Sequence, residues 1–129
     1  MVGAGGEPAG TNRIEKELGG CILHENWAGT SGSIGSSFNT FDPTTRRWHQ
    51  TWVDNQGTLL LLDGSFADGT MTMSGQVTDS AGAKTLHRIR WSVIDGDANR
   101  VRQLWESSTD GGKSWTVAFD GRYARKRKP

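Results

Sequence analysis

Residues 47–54 read Arg-Trp-His-Gln-Thr-Trp-Val-Asp, a run of aromatic, polar and β-branched side chains without glycine or proline. Successive side chains of a β-strand point to opposite faces of a sheet, so one face of this run carries Trp48, Gln50 and Trp52. That face combines two large rings with an amide, which is typical of a surface that faces a protein interior. The run therefore predicts a strand whose tryptophans point inward.

Runs of the same kind recur along the chain, and each ends at a cluster of Gly, Asp, Asn, Ser or Pro. Such clusters supply the backbone conformations of tight turns, and short connections imply antiparallel neighbours. Helical periodicity has little support, and the best helix candidate is 13–18. The segment 108–115 is expected to be a hairpin turn with Gly111 or Gly112 at positive φ. The predicted strands are 12–18, 21–27, 33–41, 47–54, 58–62, 70–78, 85–94, 101–107 and 115–123.

The chain has 129 residues, of which 33% are hydrophobic, 18 are glycine and 6 are tryptophan. This composition favours one domain with many turns and a core built from few large rings. An antiparallel sheet has two free edges unless it closes. We therefore predict an all-β fold, a single antiparallel up-and-down β-barrel of about eight to ten strands, with a β-sandwich as the competing architecture. The expected organisation is a flexible leader at 1–11, the β-barrel domain at 12–124 and a basic tail at 125–129.

The charged residues nearly cancel, giving a formal net charge of +1. Without a strong positive field we expect no nucleic-acid partner, and the basic tail is interpreted as a solvated terminus. No apolar run approaches the roughly 20 residues of a membrane span, so no membrane association is expected. Cys21 is the only cysteine. It is interpreted as a small buried residue, and the absence of an intrachain disulfide favours a cytoplasmic location.

Two further predicted strands carry a tryptophan on the same face as a polar group. In 21–27 this face holds Cys21, Leu23, Glu25 and Trp27, and in 101–107 it includes Gln103 and Trp105. Ligand pockets combine an apolar wall with a few oriented polar groups. We therefore expect a cavity that binds a small hydrophobic or aromatic molecule. The alternative is a filled core in which the rings pack completely. The candidate ligand-binding residues are Trp27, Asn39, Gln50, Trp52, Gln103, Trp105, Glu25 and Arg88.

Glu25 is the one candidate catalytic residue. A carboxyl group buried between Trp27 and Trp52 is disfavoured in its charged form and can act as a general acid or base. The protein would then be an isomerase, cyclase or hydrolase with Arg88 or Arg90 as an electrostatic stabiliser. The alternatives are a salt bridge from Glu25 to either arginine, which would hold it ionised and inert, and a hydrogen-bonding role. A binding module, an enzyme and a structural protein with a filled core all remain open.

The three histidines, His24, His49 and His87, lie on different predicted strands and lack close metal-ligand spacing. His24 and His49 also fall on the face opposite the inward one, so we expect no metal site. Phosphate loops, dinucleotide fingerprints and nucleophile elbows are absent from the sequence, and no cofactor is expected.

Several motifs in order resemble the DUF1579-type family of uncharacterised bacterial proteins, over about residues 10–123. The resemblance implies a calycin-like, lipocalin-like β-barrel and no assigned reaction, so no catalytic residue carries over. Members of that family usually open with an aromatic-rich strand of the form Phe-Trp-x-Gly-x-Trp, which residues 1–10 lack. An exposed strand edge that a second subunit covers would follow, so we predict a homodimer. The motifs are LGGC at 18–21, ENW at 25–27, SFN at 37–39, FD at 41–42, WHQTWVD at 48–54, VRQ at 101–103, DGG at 110–112 and FDG at 119–121.

Overall fold

The computed structural model describes residues 2–3 and 9–125, most of which lie in β-strands. One 3₁₀ turn, Leu18–Gly20, joins the second and third strands, and the described ranges contain no α-helix. The helix candidate at 13–18 is wrong, because residues 10–17 are extended and pair with the next strand along their whole length. The strands are β1 Val2–Gly3, β2 Gly10–Glu17, β3 Ile22–Gly29, β4 Ile34–Asp42, β5 Arg47–Asp54, β6 Leu59–Ala67, β7 Thr70–Thr78, β8 Lys84–Ile94, β9 Asp97–Ser108 and β10 Thr116–Ala124.

All ten strands form one antiparallel sheet, in which β2 to β10 follow one another in chain order. β1 pairs with β10, so β1 and β2 are the two ends of the strand order. The sheet curls until its ends meet through side chains. The ring of Trp27 on β3 lies 5.8 Å from that of Phe119 and 6.4 Å from that of Tyr123, both on β10. The predicted all-β, up-and-down barrel is confirmed. Within the described residues β2 and β10 share no backbone pairing.

Tight turns explain why chain neighbours are also sheet neighbours. The Asp-Gly pairs 68–69 and 95–96 join β6 to β7 and β8 to β9, and all four residues have φ between 52° and 77°. A type I′ hairpin requires this left-handed conformation at both central positions, and Asp followed by Gly tolerates it best. The longer turn before β10 also behaves as predicted, with Gly111 at φ 76° and Gly112 at φ 93°.

The predicted strands at 47–54 and 70–78 match β5 and β7, and the others differ at their ends. β6 continues to Ala67 instead of ending at 62, because Asp63 lies on the outer face, where it bonds to the His49 ring. β9 begins at Asp97, four residues before its predicted start at 101. β2 begins at Gly10, inside the predicted leader. Residues 1 and 4–8 of that leader and residues 126–129 of the predicted tail lie outside the described residues.

The fully buried apolar core is small and lies on the inner face of three adjacent strands. It consists of Leu60, Leu62, Met73 and Ile89, each at most 4% exposed. Partly buried tryptophans pack around these four side chains and extend the core toward both ends of the barrel. Large rings thus take the place of a larger aliphatic core, as the composition indicates.

Candidate ligand-binding cavity

Within the described part of the chain, cavities lie on the inner face of the sheet, and two of them share polar lining residues. The larger has a volume of about 430 Å³ and reaches the end of the barrel that carries the β3–β4 and β5–β6 turns. The smaller, about 220 Å³, lies toward the opposite end. Glu25 and Gln50 line both cavities. Open space therefore lies on either side of a polar layer.

The polar layer is a hydrogen-bonded chain that crosses from β2 to β5. Asn12 Nδ2 donates to Glu25 Oε2 at 2.6 Å, and Ser37 Oγ donates to Glu25 Oε1 at 2.8 Å. Asn39 Nδ2 donates to Ser37 Oγ at 2.8 Å, and Gln50 Nε2 donates to Asn39 Oδ1 at 2.8 Å. The strand register brings these groups together, since Glu25 lies opposite Ser37, and Asn39 opposite Gln50. These four hydrogen bonds restrain the polar side chains to one geometry. Asn12 Oδ1 is buried and has no hydrogen-bond partner among the described residues.

A second polar pair lies beside this layer on the wall of the larger cavity. The Tyr123 hydroxyl donates to Gln103 Oε1 at 2.6 Å. Burial, together with the nearby Glu25 carboxylate, raises the pKa of Tyr123 far above its ordinary value. The phenol therefore stays neutral at physiological pH and acts as a hydrogen-bonding group.

Four large aromatic rings contribute to the wall of the larger cavity, beside smaller polar and aliphatic side chains. Trp27, Trp52, Trp105 and Phe119 all line it. Gly35, which lies opposite Trp27 in the register, leaves room for one of these rings, because a Cβ atom built at Gly35 would overlap the indole of Trp52. An aromatic wall above a polar floor is the usual composition of a small-molecule site.

His87 is a neutral acceptor at the edge of this wall. Trp105 Nε1 lies 3.0 Å from His87 Nδ1. Because an indole N–H can only donate, Nδ1 must carry the lone pair and Nε2 the proton. Burial lowers the pKa of His87 below its ordinary value of 6.5, which agrees with the neutral form.

We expect His87 to make stability depend on pH. Below about pH 6.5 the unfolded chain binds a proton at this position that the folded chain does not, so the free energy of unfolding decreases as the pH falls further. Urea unfolding of wild type and His87→Gln between about pH 5 and 7.5 tests this, and the variant should lose that part of the pH dependence. The control variant His49→Gln changes a histidine on the outer face and should keep the pH dependence that comes from His87. Equal pH dependence in wild type and His87→Gln would contradict the assignment.

Most of the predicted site residues lie where the alternation places them. Asn39 lines the smaller cavity, and Arg88 lines neither. Cys21, predicted to be buried, precedes β3 and is exposed. The predicted residues that line the larger cavity are Glu25, Trp27, Gln50, Trp52, Gln103 and Trp105.

The prediction that Arg88 lines the cavity is wrong, and the alternative of a salt bridge from Glu25 to Arg88 or Arg90 is wrong as well. Ile89, next to Arg88 on β8, points into the core, so Arg88 and Arg90 point to the outer face. There both arginines bond to Glu106 Oε1, at 3.1 and 2.7 Å. The arginine that was expected to stabilise charge beside Glu25 is therefore on the other side of the sheet.

Several residues of the site were not predicted, among them Asn12, Ser37, Asp54, Phe119 and Tyr123. Ser37 shares a face with Asn39, but only the β3–β4 register shows that it meets Glu25. Phe119 and Tyr123 lie beyond a β-bulge between Val117 and Phe119, which changes the alternation of β10. The sequence carries no clear signal for that bulge.

Among the described residues no group of His, Cys, Asp and Glu side chains could hold a metal ion. None of the helical segments in this part of the chain has the length and apolarity to cross a membrane. Comparison with protein-family models and with curated proteins finds no match for the chain. What the site can do therefore follows from its geometry: it offers an aromatic enclosure, a fixed carboxylate and two amide side chains to a small molecule.

Proposed function

We propose that the protein is a binding module that holds a small hydrophobic or aromatic molecule in the larger cavity. The observation that carries the proposal is the cavity itself, about 430 Å³ in volume, with aromatic walls and Glu25, Gln50 and Gln103 among its lining residues. Its volume lies within the range of small-molecule sites, and few positioned polar groups are enough to orient a ligand there. The neutral fluorescent amine N-phenyl-1-naphthylamine is a suitable first probe because it is apolar and aromatic.

The test introduces a large side chain at a position on the cavity wall, so that the side chain occupies part of the cavity. Ala118 is exposed and lines the larger cavity, whereas its neighbour Val117 pairs with Glu106 on the outer face. We expect the wild type to bind the probe and enhance its fluorescence saturably. Ala118→Trp should weaken binding by about tenfold or more, while Val117→Trp should leave it unchanged. Equal probe binding by Ala118→Trp and wild type would contradict the site, as would the absence of saturable binding to the wild type.

We further propose that the chain is a lipocalin-like bacterial protein of the DUF1579 type that acts in the cytoplasm. The ordered motifs, the up-and-down barrel with interior cavities and the single cysteine support this assignment.

We also propose a homodimer formed at the β2 edge, because the described residues give β2 a strand partner on one side only. Sedimentation as a 14.1 kDa monomer at all concentrations would contradict the dimer.

A further inference from the structure

The charges around the larger cavity all have one sign. Among the described residues that line it, the charged side chains are Glu25 and Asp54, and neither lysine nor arginine is present. Burial raises the pKa of Asp54, but hydrogen bonds from Thr58, Trp52 and Gln56 outweigh it, so the net pKa is lowered. Asp54 is therefore ionised at neutral pH, and the cavity disfavours an anionic ligand.

Glu25 lacks a resident counter-charge. Its side chain belongs to a residue that is only 7% exposed, and within the described part of the chain no lysine or arginine forms an ion pair with it. The arginines Arg88 and Arg90 bind Glu106 on the outer face, and Arg102 binds Asp120 there. The two groups that hold Glu25, an amide and a hydroxyl, are neutral. A buried carboxylate normally has a cationic partner, so the missing positive charge is a feature to explain.

Three hydrogen-bond donors on the wall are already used within the protein. Trp52 Nε1 donates to Asp54 Oδ2 at 3.1 Å, and Trp105 Nε1 donates to His87 Nδ1. The Tyr123 hydroxyl donates to Gln103. These three donors are therefore not available to an anion, whereas the Glu25 oxygens still have acceptor capacity, since each accepts one side-chain hydrogen bond from the described residues.

The aromatic walls add a second attraction for positive charge. Five aromatic residues line the same cavity as the two carboxylates, and the faces of such rings attract cations, most strongly where water is excluded. The rings are Trp27, Trp52, Trp105, Phe119 and Tyr123.

We propose that the ligand of the larger cavity is a small organic cation, an amine or quaternary ammonium group on an aromatic or apolar body, whose positive charge binds next to Glu25. This inference rests on the proposed function and narrows it to a ligand class. The cation supplies the counter-charge that Glu25 lacks, and the rings enclose the remainder of the molecule.

The experiment compares three naphthalenes of nearly equal shape, 1-naphthylmethylammonium, 1-naphthalenemethanol and 1-naphthoate. Each is titrated by calorimetry and also by displacement of N-phenyl-1-naphthylamine. The cation should bind about tenfold or more tightly than the alcohol, and the anion should bind most weakly. Glu25→Gln keeps the shape of the side chain and should remove most of the preference for the cation over the alcohol, a ratio measured within the same variant. Glu15→Gln is the matched control, because it removes one negative charge from the outer face of β2.

The outcomes separate this inference from the proposed function. If the probe binds in the cavity but the alcohol binds as tightly as the cation, the ligand class is wrong and the binding function stands. The same holds if Glu25→Gln folds, binds the probe and still prefers the cation. If neither the probe nor any of the three naphthalenes binds to the wild type, the proposed function fails and the ligand class with it. Should Glu25→Gln not fold, the wild-type ranking of cation, alcohol and anion decides the ligand class by itself.

Discussion

Leu62→Ala is expected to lower the free energy of unfolding by about 2–5 kcal/mol, the usual cost of removing a large aliphatic side chain from a core. Leu62 is 0% exposed and is one of only four fully buried apolar side chains among the described residues. Because this core is small, the remaining side chains offer little apolar surface that could compensate for the loss. Urea unfolding followed by tryptophan fluorescence measures the change.

Leu61→Ala is the matched control for this substitution. Leu61 is adjacent on β6, points to the outer face and is 53% exposed, so the same chemical change should cost less than about 0.5 kcal/mol. If both variants lose the same stability, the assignment of the inner and outer faces of β6 is wrong. The division of side chains between core and surface would then need to be reversed on this strand.

Ser37→Val is expected to have the second largest effect, a loss of about 1–3 kcal/mol, because it removes one of the two side-chain donors to the buried Glu25 carboxyl group. Ser37 is 1% exposed, donates to Glu25 Oε1 at 2.8 Å and accepts from Asn39 Nδ2 and Gln50 Nε2. Valine cannot make any of these bonds, and its additional methyl group must also be accommodated at a buried position. The loss of stability should be accompanied by weaker binding of N-phenyl-1-naphthylamine, since Glu25 and Gln50 line the cavity.

The adjacent Ser36 provides the control for the polar layer. Its hydroxyl lies on the outer face and makes one longer hydrogen bond, 3.4 Å to Asn26 Oδ1. Ser36→Val should therefore change stability by less than about 0.5 kcal/mol and leave probe binding unaltered. A Ser37→Val protein as stable as Ser36→Val would show that the polar layer does not contribute to folding.

The fold follows from the sequence because its signals are local. Alternation within 47–54 and the Asp-Gly turns at 68–69 and 95–96 each act over a few residues, and together they specify antiparallel neighbours. The same alternation places Trp27, Trp52 and Trp105 on the inner face, where all three line the cavity.

The site is harder to predict because it depends on register between strands. A salt bridge between Glu25 and Arg88 is suggested by their opposite charges alone. Whether Arg88 points to the inner or the outer face of β8 decides if the two side chains can meet. Applying alternation to β8 would have corrected this, since Ile89 and Trp91 are the apolar side chains of the inner face. The contact between Ser37 and Glu25 requires the β3–β4 register, which no single stretch of sequence contains.

The most direct test of the ligand cavity uses the indole N–H signals of the six tryptophans in a two-dimensional ¹H–¹⁵N NMR spectrum. Trp27, Trp52 and Trp105 line the larger cavity, whereas Trp115 lies under the guanidinium of Arg88, 4.0 Å from its ring centre, on the outer face. On titration with N-phenyl-1-naphthylamine, we predict saturable shifts of the first three signals and a stationary Trp115 signal. Shifts confined to Trp115, or no saturable shift of the three cavity tryptophans, would contradict a ligand site inside the barrel.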